Sequence, residues 1–506
     1  MATGSTTTIA TSGMFIDGEH REAVSGEILD VLNPATGEVI AQIPAGGSAD
    51  VDLAVASAQA AYDGGWSSAP ATERAAVINR LGDLIDEHLP ELFALETRNN
   101  GRPLVETRAQ LSRASEIFRY YAALAVTQRG ETIDMGADYH AYLQRMPLGV
   151  CAGIVPFNHP LLILTRCVAP ALASGNTIVA KPSEITPLTA LRVAELGAEA
   201  GLPAGAFNVI TGLGLDAGAP LVNHPDVKKV DFTGGVETGR SVAVAAASRF
   251  ANYTAELGGK SPVLVFADAG IETAAKGVAF GGFVAAGQTC ICGSRVVVED
   301  SIYDEFVAAL IAQAEAIRIG DPSDPATQMG PLVSAVARDR SAEYVRIAIE
   351  EGATVATGGR PPELEAPFHN GFFFSPTVIS DAANDMRCAQ EEIFGPVLTV
   401  ARFSDEADAI RQANDIPFGL GAAVWTRDVA RAHRVSQQIE SGMVWVNDHH
   451  RAGPTMPWGG VKDSGSGKQS GREAFDDFTT VKAIVVRTAA GDVDWYGATG
   501  AQRRLN

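Results

Sequence analysis

Cysteine is scarce in this chain of 506 residues, and long apolar runs are absent. Its five cysteines, at positions 151, 167, 290, 292 and 388, are too few and odd in number for a disulfide scaffold. We therefore expect reduced thiols and a cytoplasmic protein. No segment approaches the roughly 18 consecutive apolar residues of a membrane-spanning helix, so no membrane partner is expected.

Positive charge is also in deficit, and the N-terminus has no targeting features. Lys and Arg total 39 against 60 Asp and Glu, a formal net charge of −21. This balance argues against nucleic acid or an anionic membrane as partner. The opening residues, MATGSTTTIATSGMF, contain neither the basic nor the apolar part of a secretory signal. We expect residues 1–14 to form a flexible lead-in.

Short apolar segments alternate with helical periodicity along most of the chain, which predicts parallel βαβ units. Helical segments are predicted over residues 48–63, 71–99, 187–200 and 239–249, and strands over 149–156, 176–182, 207–212, 227–234 and 261–268. The alternation resumes between Val296 and Val446, so we predict two α/β lobes with a seam near residues 256–270. Segments 140–149 and 478–487 are predicted strands outside this series that could pair as an arm.

Two glycine-rich turns and one charged turn follow predicted strands. The turn from Gly212 resembles a dinucleotide fingerprint, but Ala217 occupies the third glycine position, and an ordinary turn stays open as the alternative. The turn from Gly234 to Gly239 comes before a predicted helix, where backbone N–H groups can approach a phosphate. Lys181 and Glu184 close another strand, and the Glu184 carboxylate could accept hydrogen bonds from ribose hydroxyls. A solvated turn is the alternative there.

Cys290 and Glu256 are the candidate reactive groups. Cys290 follows a loop with Gly287, where a thiol can be exposed and have a lowered pKa. A buried, inert thiol is the alternative, and Cys292 competes for the role. Glu256 is flanked by flexible glycines and could serve as a general base, although a surface carboxylate is the default.

The order of these motifs resembles that of the aldehyde dehydrogenase superfamily, from about residue 15 to 487. The matching segments are Pro156-Phe157-Asn158-His159-Pro160, Lys181-Pro182-Ser183-Glu184, Phe232-Thr233-Gly234-Gly235 with Gly239, Glu256-Leu257-Gly258-Gly259-Lys260, Gly287-Gln288-Thr289-Cys290, Glu391-Glu392-Ile393-Phe394-Gly395-Pro396, Asn447, and Pro457-Trp458-Gly459-Gly460-Val461-Lys462. The resemblance implies an α/β fold of two Rossmann-type domains with a small β oligomerisation arm. It implies an NAD-binding domain over 15–139 and 150–256, a catalytic domain over 257–460, an arm formed by 140–149 and 478–487, and a C-terminal tail over 488–506.

The resemblance also implies the chemistry. Cys290 would attack an aldehyde to give a thiohemiacetal, whose oxyanion Asn158 and the Cys290 backbone N–H would stabilise. Hydride loss would leave a thioester, and Glu256 would activate the water that hydrolyses it. The retained Glu256 argues for a carboxylic acid product rather than acyl transfer to coenzyme A.

NAD is the implied cofactor. By resemblance, its binding residues would be Lys181, Glu184, Gly212, Phe232, Thr233, Gly234, Gly235, Gly239, Leu257, Glu392 and Phe394. Glu184 favours NAD because a carboxylate repels a 2′-phosphate, although NADP remains possible. No metal is expected, since adjacent His449 and His450 lack useful ligand spacing.

The implied aldehyde pocket departs from the usual pattern. Its candidate residues are Phe157, Arg166, Val284, Thr289, Ile291, His449, His450, Arg451 and Trp458. Arg166 resembles members that oxidise carboxylated or hydroxylated aromatic aldehydes, since guanidinium binds carboxylates and stacks on rings. Pairing with a structural carboxylate is its alternative.

Trp458 supports another reading, because betaine and aminoaldehyde members hold a cation against such a ring. Phe157 and Val284 weaken that aromatic cage, so we favour an aromatic or carboxylated aldehyde. A non-catalytic NAD-binding member and a cofactor-free thiol esterase remain alternatives from other classes. The small-molecule aldehyde is the expected ligand, and a homodimer or homotetramer the expected assembly.

Overall fold

A computed structural model describes residues 10–490 and 496–497. Residues 1–9 of the expected lead-in, and 491–495 and 498–506 of the expected tail, lie outside the described residues, whereas Ala10–Thr11 and Met14 belong to strands. The helices are α1 Ser48–Ala61, α2 Ala71–Glu87, α3 Leu89–Asn100, α4 Leu104–Thr127, α5 Pro160–Ala173, α6 Leu188–Glu199, α7 Ala219–Asn223, α8 Val236–Ala247, α9 Ile271–Phe283, α10 Tyr303–Glu315, α11 Ala335–Glu350, α12 Arg387–Gln390, α13 Glu406–Asn414, α14 Val429–Gln438 and α15 Gly471–Asp477. The strands are β1 Ala10–Thr11, β2 Met14–Ile16, β3 Glu19–Arg21, β4 Ile28–Leu32, β5 Val39–Pro44, β6 Glu131–Ile133, β7 Tyr139–Pro147, β8 Val150–Val155, β9 Thr177–Pro182, β10 Phe207–Val209, β11 Val227–Thr233, β12 Asn252–Glu256, β13 Pro262–Val265, β14 Arg295–Glu299, β15 Thr354–Thr357, β16 Thr377–Ser380, β17 Val397–Phe403, β18 Phe418–Gly419, β19 Gly421–Trp425, β20 Met443–Val446, β21 Val461–Lys462, β22 Gly465–Ser466 and β23 Thr479–Arg487.

The first lobe is built on an eight-stranded sheet of order β22-β12-β11-β8-β9-β10-β2-β3. Its five central strands, β12 to β10, run parallel. The chain moves outward from β8 through β9 to β10, and then returns to the other side of β8 for β11 and β12. Ligands of open α/β sheets bind at the carboxyl ends of the strands, beside such a change of direction.

The second lobe is built on a seven-stranded sheet of order β15-β16-β17-β14-β13-β19-β20. All pairs from β16 to β20 are parallel, whereas β15 is antiparallel. Residues 257–261 connect β12 of the first sheet to β13 of the second. The predicted α/β class with two Rossmann-like sheets is confirmed.

A third sheet stands apart from both lobes. Strands β7 and β23 pair antiparallel along nine residues each, and β6 pairs with the other edge of β7. Most of the two segments for which the sequence predicted a pairing arm, 140–149 and 478–487, lies in these strands, whereas Leu148, Gly149 and Phe478 lie outside them. The valines of β23 at 481, 485 and 486 are exposed.

Burial explains why the strands of both lobes form continuous apolar runs. Every residue of β9 and of β13 is buried, as expected of parallel strands covered by helices on both faces. Helix α5 is likewise buried along all 14 of its residues, including Arg166. Helical periodicity predicted over 71–99 corresponds to two helices, α2 and α3, which His88 separates. The first lobe also contains strand β12, which the sequence patterns did not predict.

Candidate active site

The carboxyl ends of the parallel strands in the first lobe bring the predicted polar residues to one edge. Lys181 is the last residue but one of β9, Thr233 ends β11, and Glu256 ends β12. Asn158 follows β8 by three residues, just before α5 begins at Pro160. These residues therefore face the seam between the lobes.

Cys290 enters the seam from the second lobe on a loop after α9. The loop contains left-handed backbone at Ala285, Ala286 and Gly287. At Gly287, a Cβ would collide with the carbonyl oxygen of Gly395, so this tight approach requires glycine. The loop places Cys290 at the meeting point of the two lobes.

Of the two neighbouring cysteines, Cys290 is the more accessible. It is partly exposed, whereas Cys292 is only 6 % exposed and its thiol donates to the Gly282 carbonyl at 3.3 Å. Burial raises the pKa of each thiol to about 12. The Arg166 guanidinium opposes this rise in the pKa of Cys290, because positive charge favours a thiolate.

Glu256 and Asn158 are buried with unsatisfied oxygen atoms. Glu256 is 2 % exposed, and neither of its carboxylate oxygens has a hydrogen-bond partner. Burial raises the pKa of Glu256 well above its usual range, and Arg166 and Lys468 oppose the rise. Asn158 is also buried, with its Oδ1 unpartnered. A carboxyl group in such surroundings can act as a general base for water.

Three charged side chains at the seam could hold a dinucleotide. The Lys181 ammonium lies 3.2 Å from the Glu184 carboxylate, which is partly exposed. Glu392 Oε1 accepts the Gly259 N–H at 3.0 Å, and burial raises the pKa of Glu392 to about 7. Helix α8 begins directly after Gly235, around which space is open. The open helix N-terminus is suited to a phosphate group.

The other predicted cofactor residues pack around these groups. Gly234 lies against the Phe232 ring, and Gly239 lies so close to the Leu257 side chain that a Cβ would collide with it. The Thr233 hydroxyl accepts from the Gln469 side-chain amide at 3.0 Å. Gly212 has φ of 134° and lies against the backbone of Gly46, so a packing role accounts for its backbone conformation.

Arg166 stacks on Trp458. Its guanidinium carbon lies 4.0 Å from the centre of the Trp458 ring. Within residues 10–490 no carboxylate forms an ion pair with Arg166, so the structural pairing considered as its alternative is not found. Burial lowers the pKa of Arg166, and Cys290 and Glu256 oppose that shift. The guanidinium therefore places a positive charge beside Cys290 and Glu256.

A cavity of about 550 Å³ opens next to this centre. Val284 and His450, both predicted pocket residues, contribute to its wall. Wall residues that the sequence reasoning did not select are Glu106, Gln110, Arg113, His159, Phe280 and Phe283. Arg113 has no ion-pair partner among the described residues, and it lies near enough to Arg166 for their charges to interact. The wall of the cavity therefore carries the Arg113 guanidinium and aromatic rings, and Arg166 lies near the cavity without lining it.

The remaining predicted pocket residues take several positions. Phe157 packs edge-on against Phe394, with their ring centres 5.7 Å apart. Thr289 contacts His159, and Ile291 is buried beneath the loop. The Arg451 side chain is 77 % exposed, pairs with Asp448 at 3.4 Å, and does not line the cavity.

Helix α4 supplies three of the wall residues that sequence reasoning missed, Glu106, Gln110 and Arg113. Gln110 and Arg113 lie about 45 residues before Asn158, in a helix that carries several other arginines. No local pattern distinguishes Arg113 from Arg108 or Arg119. Arg119 forms surface ion pairs with Asp83 and Asp86, whereas Arg113 forms none among the described residues and lines the cavity, although both side chains are partly exposed.

A partly exposed thiol, a buried carboxyl group and a buried side-chain amide meet at a seam between two Rossmann-like lobes, an arrangement typical of a cysteine-dependent oxidoreductase of α/β fold. Residues 20–484 match the Aldehyde dehydrogenase family. The chain belongs to the aldehyde dehydrogenase family, and it is an aldehyde dehydrogenase.

Curated and solved relatives agree with this assignment. A betaine aldehyde dehydrogenase of Bacillus subtilis (strain 168) is 42 % identical, with 96 % of this chain and 99 % of the relative covered. A Staphylococcus aureus betaine aldehyde dehydrogenase solved with NAD⁺ is 40 % identical, covers 96 % of this chain and 97 % of its own, and has a TM-score of 0.94. PnpE from Pseudomonas sp. WBC-3 is 44 % identical, covers 96 % and 99 %, and has a TM-score of 0.93.

Two further features are absent from the part of the chain that the structure describes. No helix there has the length and apolarity needed to cross a membrane. No group of three or more His, Cys, Asp or Glu side chains there is arranged to hold a metal ion.

Proposed function

We propose that this chain oxidises a carboxylated aldehyde to the corresponding acid, with NAD as the hydride acceptor. The observation that carries the proposal is Arg166, which stacks on Trp458 and has no carboxylate partner among the described residues. A guanidinium held flat by a ring keeps its edge N–H groups available for a substrate carboxylate. Arg113 adds a second positive charge at the cavity wall.

In the proposed reaction, the Cys290 thiolate forms a bond to the aldehyde carbon. The carbonyl electron pair moves onto oxygen, and the Asn158 side-chain amide and the Cys290 backbone N–H stabilise it. When the C–H hydride has left, the carbonyl reforms as a thioester on Cys290. Glu256 removes a proton from water, which attacks the thioester and releases the acid and the thiol.

The cofactor proposal rests on the chemistry of the side chains at the seam. Lys181 and Glu184 would hold the adenosine ribose, the start of α8 would hold the pyrophosphate, and Glu392 would hold the second ribose. When bound, NAD⁺ would accept the hydride on its nicotinamide ring. Glu184 supports NAD over NADP, because its carboxylate would repel a 2′-phosphate.

A betaine or aminoaldehyde substrate is less well supported. In such a reading Trp458 would attract a substrate cation through its ring face. Here the Arg166 guanidinium already covers that face at 4.0 Å. A second cation would meet a resident positive charge in a desolvated site, which is unfavourable.

Aromatic aldehydes form the second candidate class. Phe280 and Phe283 line the cavity, and the Phe280 ring lies edge-on to His450 at 5.7 Å. Planar substrates can pack against such rings. An aldehyde that carries both a ring and a carboxylate would use both features.

Initial rates of NADH formation test the proposal. The panel comprises ω-carboxylated, aromatic, aliphatic and trimethylammonium aldehydes of similar length, each with NAD and NADP. We expect the highest kcat/KM for carboxylated members with NAD. A preference for the trimethylammonium aldehyde would overturn the substrate assignment, and absence of turnover with every aldehyde would overturn the function.

We also propose that the arm joins copies of this chain into a homodimer or homotetramer. Strand β23 offers an edge with exposed valines, and an exposed strand edge is a ready pairing surface. Sedimentation velocity on the full chain, compared with a variant carrying lysine at Val481 and Val485, tests the assembly.

Five unpaired cysteines support a reducing, cytoplasmic location.

A further inference from the structure

A chain of buried and partly buried hydrogen bonds runs from Arg102, two residues before α4, to the residue before the proposed nucleophile. Arg102 Nη1 lies 2.7 Å from Gln110 Oε1, and His159 Nδ1 lies 2.9 Å from the same oxygen. His159 Nε2 lies 3.1 Å from Thr289 Oγ1. Arg102, His159 and Thr289 are all buried, with His159 8 % exposed.

The chemistry of these groups fixes the direction of each bond. Arg102 can only donate, so Gln110 presents its oxygen to Arg102 and to His159. That oxygen can only accept, so His159 carries its hydrogen on Nδ1. Burial, together with the charges of Arg102 and Arg166, lowers the pKa of His159 well below its usual value, so the ring is neutral. Its Nε2 is therefore an acceptor, and the Thr289 hydroxyl donates to it.

The same cluster holds the loop at a second point. Arg102 also pairs with Glu106 at 3.3 Å, and both carboxylate oxygens of Glu106 accept the Ala285 backbone N–H at 3.1 Å. Contacts at Ala285 and at Thr289 therefore bracket the turn before Cys290. Because α4 belongs to the first lobe and the loop to the second, these bonds cross the seam.

We propose that His159 is a positioning residue for the nucleophile. It directly follows Asn158, and it holds Thr289, which directly precedes Cys290. One imidazole thus couples the backbone that carries the oxyanion amide to the backbone that carries the thiol. The inference rests on the proposed roles of Asn158 and Cys290, and it assigns His159 a role that acts through Thr289.

Four variants test this coupling. His159→Phe and Thr289→Val each remove one side of the hydrogen bond with little change in volume, whereas Thr289→Ser keeps a hydroxyl and His159→Gln keeps a donor and an acceptor. We expect the Phe and Val variants to lose about ten-fold or more in kcat, because small misplacements of reacting groups are costly. The Gln and Ser variants should retain more kcat than their apolar counterparts. The KM of a short aldehyde that does not reach the cavity wall should change by less than about three-fold.

The combined variant supplies the decisive comparison. If the two side chains act through their mutual bond, His159→Phe with Thr289→Val should lose little more kcat than either single variant. Multiplied losses, or single-variant kcat values within about two-fold of the parent, would overturn the inference. Where His159→Phe fails to fold, as judged by thermal unfolding, the Thr289→Val and Thr289→Ser pair carries the test.

A second measurement separates failure of this inference from failure of the proposed function. Alkylation of Cys290 by iodoacetamide, followed by intact mass, requires no aldehyde or cofactor. Altered alkylation rates in Thr289→Val but not in Thr289→Ser support positioning even where no aldehyde is turned over. Equal alkylation rates in the parent and in both variants, together with unchanged kcat, refute the positioning role.

Discussion

The Nε2 atom of His449 lies 2.8 Å from the carbonyl oxygen of Ile291, the residue after Cys290. A carbonyl only accepts hydrogen bonds, so Nε2 carries the ring hydrogen. The ring also stacks on Trp445, with centres 5.1 Å apart. His449, which the sequence suggested for the substrate pocket, therefore braces the far side of the nucleophile loop.

Burial of the His449 ring makes the free energy of unfolding depend on pH. Burial lowers the pKa of His449 to about 4 in the folded protein, against about 6.5 for an unfolded chain. The unfolded state then binds the extra proton first, so stability is lost as pH falls below about 6.5. We expect His449→Gln to reduce the loss between pH 7 and pH 5 by about 2 kcal/mol. Urea unfolding of the parent and of His449→Gln at pH 7 and pH 5 measures this loss of stability. The same pH dependence in the two proteins would contradict the lowered pKa of His449.

Removal of the nucleophile separates the two neighbouring thiols. Cys290→Ala should abolish aldehyde oxidation and leave NAD binding, followed by fluorescence quenching, intact. Cys292→Ala is the matched control, since its thiol bonds only to the Gly282 carbonyl and should leave oxidation largely in place. Oxidation that survives Cys290→Ala but not Cys292→Ala would reverse the assignment.

Replacement of the base should stop the reaction after hydride transfer. Glu256→Gln keeps the volume but cannot accept a proton, so we expect steady-state turnover to fall by about 10² or more. A burst of NADH close to the enzyme concentration should precede it, with the thioester visible by intact mass. Turnover near that of the parent would show that another group activates the water.

Loss of the stacked guanidinium should affect both the thiol and the substrate. Arg166 lowers the pKa of Cys290, so Arg166→Met should slow alkylation of Cys290 at a fixed neutral pH. It should also raise KM for carboxylated aldehydes by about ten-fold while sparing uncharged ones. Arg338→Met removes a surface arginine that pairs with Asp339 and serves as the control. An equal effect on charged and uncharged aldehydes would argue against carboxylate binding.

Cofactor choice should respond to Glu184. Glu184→Ser removes the carboxylate that lies 3.2 Å from Lys181. We expect kcat/KM with NAD to fall by about ten-fold and the preference for NAD over NADP to shrink, because repulsion of a 2′-phosphate is lost. Steady-state kinetics with both cofactors measure this. An unchanged ratio would place the discrimination elsewhere.

Local sequence patterns were sufficient for the central strands and for the order of the lobes. The apolar runs that predicted β8, β9 and β11 are buried on both faces, so their composition alone distinguishes them. Strand β12 was not predicted because it begins with the exposed Asn252 and the partly exposed Tyr253, which leaves too short an apolar run to indicate a strand. Short strands with mixed composition depend on tertiary pairing that no local window contains.

The polar residues of the site were harder to place than the strands. A pattern identifies a histidine but does not say which way its ring points. His449 bonds to backbone, His450 reaches the cavity wall, and Arg451 faces solvent, although the three are consecutive. Arg113 was missed for the same reason, because its position beside Arg166 depends on the packing of two helices.

The cavity wall draws heavily on α4, α9 and α10, which carry none of the proposed catalytic side chains. Substitutions at wall positions of these helices other than Glu106 and Gln110 can reshape the cavity while the bond-forming atoms keep their places. The shape of the cavity is therefore encoded largely apart from the reaction chemistry, whereas Arg166 on α5 acts on both the proposed substrate and the Cys290 thiol. Sequence change at such wall positions would alter the range of aldehydes that enter the cavity, while Cys290, Glu256 and Asn158 stay the same.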